Sequence, residues 1–276
     1  MNTKKSLIIL LLLTIGVASH SQKLVEVWKT GQILKTPESS LYDPDLNVIF
    51  VSNVNQNPWE KDGNGFISVL TPDGKMKTAE WVSGLSGPKG MGILNGKLYV
   101  ADIDELVEID IAQGKIVKKY PANGVASLND VDVSDDGIVY VSDTNSGKVL
   151  ALKDGEFSVW YDGSEMGKIN GLFAEGDKLY VGADNLYQMD RKTQKITEVQ
   201  SDCGGIDGLT KDNDGNFVFS NWPGHIYYYQ GGQMTKMMDT VDQKINTADV
   251  GFAKKLNVLL VPTFFDNQIV AYKIVR

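Results

Sequence analysis

Val131-Asp132-Val133-Ser134-Asp135-Asp136-Gly137-Ile138-Val139-Tyr140-Val141 sets two short apolar segments on either side of an Asp-Gly turn, the pattern of a β-hairpin. Lys148 to Leu152 and Phe157 to Trp160 follow with strand composition, so the region reads as four short antiparallel strands. Its second strand recurs along the chain. Val48-Ile49-Phe50-Val51, Lys97-Leu98-Tyr99-Val100, Ile138-Val139-Tyr140-Val141, Lys178-Leu179-Tyr180-Val181, Asn216-Phe217-Val218-Phe219 and Val258-Leu259-Leu260-Val261 read as one strand written six times. Their central residues, Phe50, Tyr99, Tyr140, Tyr180, Val218 and Leu260, are 49, 41, 40, 38 and 42 positions apart. A period near 40 residues built from short strands marks a β-propeller with one four-stranded sheet per repeat. The expected fold is therefore all-β, a six-bladed β-propeller. The last repeat ends after its third strand, Ile269 to Ile274. Leu24-Val25-Glu26-Val27-Trp28 alternates in polarity ahead of the first repeat, and it is expected to complete the last blade and close the ring, removing exposed sheet edges. Helical periodicity is absent after residue 22.

The 276 residues divide into a leader, 1–21, and a propeller domain, 22–276. Lys4 and Lys5 precede an apolar run over residues 7–18, and the small residues Ser19 and Ser21 follow it. This is the composition of a secretory signal peptide, which makes the mature protein exported, either periplasmic or secreted. No Cys follows the run, which argues against a lipid anchor, and nothing later approaches the ~20 apolar residues of a spanning helix. A formal net charge of -8 disfavours nucleic acid and anionic membrane surfaces as partners. Cys203 is the only cysteine, so there is no internal disulfide, and it has no basic neighbour to activate it as a nucleophile. His225 is the only histidine outside the leader, which excludes multi-histidine zinc sites. No G-x-S-x-G elbow accompanies it.

Two apparent motifs dissolve under the repeat alignment. Asp212-Asn213-Asp214-Gly215-Asn216 resembles the opening of a calcium loop, yet it aligns with the Ser134 to Gly137 turn and lacks the later bidentate Glu. Gly90-Met91-Gly92 leads into a strand and not a helix, so it is no phosphate loop. If the first strand of each blade lines the channel, its first residues gather at one mouth. In repeat order these are Glu38, Lys89, Asn129, Asn170, Asp207 and Ala248, each 10 to 12 positions before the central residue of the second strand. Two carboxylates and two amides, without His or Cys, suit calcium, or magnesium, over zinc or copper. Calcium tolerates the irregular geometry of ligands gathered from four blades better than magnesium does. The same groups would also suit a hydrated channel in which they hydrogen-bond one another.

These residues carry a resemblance. The chain is similar to the family of gluconolactonase, senescence marker protein and luciferin-regenerating enzyme, six-bladed propellers with one catalytic divalent ion. Pro37-Glu38-Ser39-Ser40-Leu41-Tyr42-Asp43, Leu128-Asn129-Asp130, Ile169-Asn170-Gly171-Leu172 and Ile206-Asp207-Gly208-Leu209 match its four ligand motifs, and the likeness runs over nearly the whole chain after the leader. Ser39 and Ser40 stand where members commonly have Gly and Pro. The resemblance implies that Glu38, Asn129, Asn170 and Asp207 hold the ion and that Asp207 is also the catalytic acid/base. Sugar lactonases of the family often carry an Arg two positions before the second ligand, and here that position is Ser127. Lys89 would either supply a substituting positive charge or pair with Glu38 or Asp207. Loops between second and third strands should rim the same mouth, bringing Trp59, Trp222 and His225, with Phe264 and Phe265, toward a small organic substrate. The expected activity is that of an exported, calcium-dependent hydrolase of a lactone or related ester. The alternatives are a phosphotriester hydrolase using the same residues, or a binding propeller with structural calcium.

Overall fold

The computed structural model describes residues 22–125, 127–163 and 165–275; residues 1–21, expected to be a leader, lie outside them. A single strand, β1 (Lys23–Lys29), comes first. Blade one is β2 (Pro37–Asp43), β3 (Val48–Asn53), β4 (Gly65–Leu70) and β5 (Met76–Leu85). Blade two is β6 (Pro88–Leu94), β7 (Lys97–Asp102), β8 (Glu105–Asp110) and β9 (Lys115–Pro121). Blade three is β10 (Leu128–Val133), β11 (Val139–Asp143), β12 (Lys148–Lys153) and β13 (Glu156–Tyr161). Blade four is β14 (Leu172–Glu175), β15 (Lys178–Gly182), β16 (Leu186–Asp190) and β17 (Ile196–Gln200). Blade five is β18 (Ile206–Lys211), β19 (Phe217–Asn221), β20 (His225–Gln230) and β21 (Gln233–Asp239). The last blade takes β22 (Gly251–Ala253), β23 (Val258–Pro262) and β24 (Ile269–Val275) from the end of the chain and β1 from its start.

The six antiparallel sheets confirm the six-bladed propeller and its closure. Leu24 pairs with Ile274 and Trp28 with Ala271, with a bulge between Glu26 and Trp28. Each blade buries its two faces against its neighbours, so the apolar core is a ring of interfaces and not one central mass. Blades one and two share Phe50, Ile67, Met91, Leu98 and Val100. At the closure, Leu34 of the loop before β2 and Ile49, Val51 and Leu70 of the first blade meet Leu260, Ile269 and Ala271 of the last. Cys203 belongs to one of these clusters; burial pushes its thiol up to about 11, as befits an inert apolar residue.

The hairpins follow from their turn residues. Gly137 and Gly215 both adopt φ of 81°, which glycine reaches without strain. The calcium-loop lookalike is such a hairpin, since Asp212 accepts the backbone N–H of Asp214 at 3.0 Å and of Asn216 at 2.9 Å. Toward the axis the inner strands converge closely. A Cβ on Gly171 would lie 2.8 Å from the carbonyl oxygen of Asp207, and one on Gly208 2.1 Å from the nitrogen of Val250. Glycine in Asn170-Gly171 and Asp207-Gly208 is thus what lets adjacent inner strands pack. Blade three has Asp130 at that place, and its carboxylate accepts the Leu172 N–H of blade four at 2.6 Å. Among the described residues no helix is long and apolar enough to cross a membrane.

Candidate metal centre in the channel mouth

Glu38, Lys89, Asn129 and Asp207 are each the second residue of an inner strand, β2, β6, β10 and β18, and Asn170 stands two residues before β14. The ladders between first and second strands are interrupted there, between Pro37 and Ser39, Pro88 and Met91, Leu128 and Val131, and Ile206 and Leu209. Bulges of this kind re-aim a side chain, and in this ring they turn the second residue toward the axis. The broken ladder is repaired by serines of the second strand. Ser52 Oγ accepts the Ser39 N–H, Ser142 Oγ the Asp130 N–H and Ser220 Oγ the Gly208 N–H, all at 2.9 Å.

The next residue of each second strand fixes the loop that enters the ring. Asn53 Oδ1 accepts the Lys35 N–H at 2.9 Å, Asp102 the Gly87 N–H at 2.7 Å and Asp143 the Ser127 N–H at 2.7 Å. Asn221 Nδ2 donates to the carbonyls of Cys203 and Gly205 at 2.9 and 2.6 Å. These positioning groups, Asn53, Asp102, Asp143 and Asn221, went unread in the sequence. Val-Ser-Asn53, Val-Ala-Asp102, Val-Ser-Asp143 and Phe-Ser-Asn221 repeat as visibly as the strands they end.

Glu38, Lys89, Asn129, Asn170 and Asp207 line one cavity of about 370 Å³, with Trp59, Trp222 and Phe264 in its wall. Ala248 is fully buried at the sixth ring position. Asn170 Nδ2 donates to Asp207 Oδ1 at 2.5 Å, and Asn129 Nδ2 to Thr144 Oγ1 at 3.1 Å. Each amide so leaves its oxygen as the remaining ligand atom. Glu38 is 5% exposed, and its Oε2 is buried without a hydrogen-bond partner. Burial, then Asp207 and Asp249, push the Glu38 carboxyl well above its usual range, against the pull of Lys89. Burial, followed by Asp130, carries Asp207 to about 7, opposed by the Asn170 hydrogen bond. An orphaned buried carboxylate oxygen beside a second carboxylate is a site short of positive charge. A hard divalent cation fits this donor set. Among the described residues no group of three or more His, Cys, Asp and Glu is placed to hold a metal, so an ion here would draw half of its protein ligands from amides.

Lys89 lines the cavity within electrostatic reach of Glu38, and backbone carbonyls hold its head group. Its ammonium donates to the carbonyls of Pro58 and Gly87, both at 2.8 Å, and lies 4.1 Å from the ring centre of Trp59. Burial lowers it to about 8, with Glu38 and Asp102 opposing. Lys89 thereby ties the long loop between β3 and β4 to blade two, and a Cβ on Gly87 would meet the Pro58 carbonyl at 2.5 Å. Lys89→Met removes the donors while keeping an apolar stem. Trypsin cleavage after Lys61, within this loop, should then quicken by roughly tenfold or more, because charged-group hydrogen bonds of about 1.5–3 kcal/mol no longer oppose loop opening. An unchanged cleavage rate would show that the tether is not what holds the loop.

His225 is placed outside the cavity lining. It opens β20, with Nε2 3.5 Å from Asp239 Oδ2. A wider cleft of about 960 Å³ lies between blades three and four among Tyr140, Trp160 and Arg191. The Arg191 guanidinium there is taken up by Tyr140 Oη, the Gly176 carbonyl, Ser134 Oγ and Asp136, which makes it a latch between blades and not a free cation.

No family model matches the chain, and no curated protein matches it by sequence. Solved structures share its fold. A catalytically inactive histidine-to-alanine variant of virginiamycin B lyase from Staphylococcus aureus, with quinupristin, is 13% identical over 92% of this chain and 100% of its own, with a TM-score of 0.64. A streptogramin B lyase is 12% identical over 92% and 97%, with a TM-score of 0.62. The extracellular domain of a putative one component system from B. thetaiotaomicron is 12% identical over 91% of this chain and 40% of its own, at 0.60. At these identities the likeness is one of fold alone, and it leaves membership of the gluconolactonase family as a proposal.

Proposed function

We propose that the protein is an exported hydrolase of a lactone or related ester that works with calcium held by Glu38, Asn129, Asn170 and Asp207. The observation that carries this reading is the convergence of those four residues from four blades on one cavity, with a Glu38 oxygen buried and unpartnered. A bound divalent ion supplies Lewis acidity toward a carbonyl and lowers the pKa of a nearby water. Asp207 is a buried carboxylate at the same place, able to take a proton from a water beside the ion. Asn170 orients it through the 2.5 Å bond to Oδ1. Trp59, Trp222 and Phe264 give the cavity an aromatic wall. Export rests on Lys4, Lys5 and the apolar run over residues 7–18. The lyases of similar fold do not transfer their chemistry, because one fold hosts many reactions, and His225 does not line this cavity.

An activity screen of the purified protein on lactones and phosphotriesters, with and without chelator and with elemental analysis, tests the proposal. Lactone turnover lost on chelation and restored by calcium is the expected result. Turnover of phosphotriesters alone would move the reaction class. Calcium bound without any turnover would make the protein a binding propeller.

A further inference from the structure

The polar floor of the cavity leaves its upper wall unexplained. Trp222 packs edge-on against Phe264 with ring centres 4.7 Å apart, and Phe265 adds a third ring 4.8 Å from Phe264. Phe264 is 1% exposed yet holds φ of 46°, a left-handed conformation that bulky residues rarely adopt and that concentrates at functional sites. Asn267 N–H donates to its carbonyl at 3.0 Å, and Asn246 Nδ2 donates to that of Trp222 at 2.9 Å, so both backbones are pinned. Trp59, 45% exposed, faces the same cavity, with its ring on the Lys89 ammonium.

The polar groups beside the aromatic wall are partly taken up by the protein itself. Ser127 stands outside the lining, where its Oγ accepts from Asn145 Nδ2 at 2.6 Å. Lys89 spends two of its three donors on the Pro58 and Gly87 carbonyls and lays its head group on the Trp59 ring. Thr144 Oγ1 accepts from Asn129, which leaves its O–H as the one neutral hydroxyl donor of the lining. Lys168 and Asp184 are the remaining charged side chains of the lining. A polyhydroxylated ring would press hydroxyls against aromatic carbon, and each buried hydroxyl without a partner lowers affinity by roughly tenfold or more.

We infer that the cavity selects a lactone or ester bearing an aromatic or alkyl substituent over a polyhydroxylated one, a substrate class that rests on the hydrolase reading. The carbonyl end sits on the Glu38, Asn129, Asn170 and Asp207 floor, and the substituent lies along Trp222, Phe264 and Trp59.

Three six-membered lactones with one common ring test it on the calcium-loaded full chain: δ-valerolactone, glucono-δ-lactone and 5-phenyl-δ-valerolactone. The phenyl compound should exceed the unsubstituted one in kcat/KM by roughly tenfold or more, the range a hydrophobic pocket gives, and the gluconolactone should not. Trp222→Ala, at an exposed position, should collapse that phenyl advantage through KM, and Trp59→Ala serves as the second variant if the first fails to fold. Glucono-δ-lactone equal to or better than the phenyl compound overturns the inference, as does a phenyl preference untouched in a folded variant. If none of the three is opened, the hydrolase reading of lactone chemistry has failed, and the inference is then read by quenching of tryptophan fluorescence. Saturable quenching by the phenyl lactone at roughly tenfold lower concentration than by the gluconolactone supports it; the reverse order, or no saturation by either, sinks it.

Discussion

Asp207→Asn should lower the rate of hydrolysis by about 10²- to 10⁴-fold, the usual worth of a positioned general acid or base. The substitution keeps the shape of the side chain and one oxygen for an ion, but it removes the group that accepts a proton. Its setting carries the expectation: Asp207 is 6% exposed, lines the cavity and is bonded by Asn170 Nδ2. His225→Ala should change the rate far less, because that ring stands outside the cavity near Asp239. Calorimetry with calcium on Asp207→Asn separates the two duties. Retained binding with lost turnover assigns Asp207 to proton transfer, whereas parallel loss of both makes it a ligand only. Turnover intact in Asp207→Asn and abolished in His225→Ala would replace the mechanism with a histidine-based one.

The propeller was legible because its evidence is periodic. Each blade repeats one apolar second strand at a spacing near 40 residues, and the unfinished last repeat pointed directly to Leu24 through Trp28, which pair with β24. Strand limits were read short: β10 begins at Leu128 and not at Val131, because the bulge between Leu128 and Val131 breaks the alternation on which such a reading depends. The serines and the strand-end Asn and Asp residues that hold the ring repeat visibly, but their use does not show in sequence, since their partners are backbone groups a dozen or more residues away. Convergence of Glu38, Lys89, Asn129, Asn170 and Asp207 was legible from register alone. The use of Lys89 was not. Its partners, the Pro58 and Gly87 carbonyls, depend on how a long irregular loop folds back, and no periodicity describes that. His225 shows the same limit, for its proximity to the loop at Trp222 in sequence did not bring its side chain into the cavity. Substrate identity is a property of the wall, and the wall is built from loops.

The metal-free protein should be more stable near pH 5 than near pH 8. Burial, ahead of the other causes, raises Asp132, Asp207 and Asp249 each to about 7 and lifts Glu38 and Asp130 as well. A carboxyl near 3.9 in the unfolded chain and near 7 in the native one binds more proton in the native state between those values. Unfolding free energy therefore falls as pH rises through that window and levels off above about 7. The opposite contribution comes from Asp110, Asp136 and Asp239, whose ion pairs and hydrogen bonds hold them below the usual range; it is lost only on the acid side of the window. Asp132 and Asp249 are half-buried, so channel water screens them, and about 1–2 kcal/mol for each is the fitting scale. At roughly 2–4 °C per kcal/mol for a domain of this size, the melting temperature should drop by about 5 °C or more from pH 5 to pH 8. Asp132→Asn isolates one contributor without touching the proposed ligands. Its amide oxygen can still accept the Ala174 N–H now bonded to Asp132 at 2.5 Å, while its charge is gone at every pH. The variant should melt above the parent at pH 8 and match it near pH 4. Calcium added to the parent at pH 8 should recover stability by mass action on the folded state. A melting temperature that rises from pH 5 to pH 8 in the absence of metal would show that these carboxylates are not held protonated within the channel.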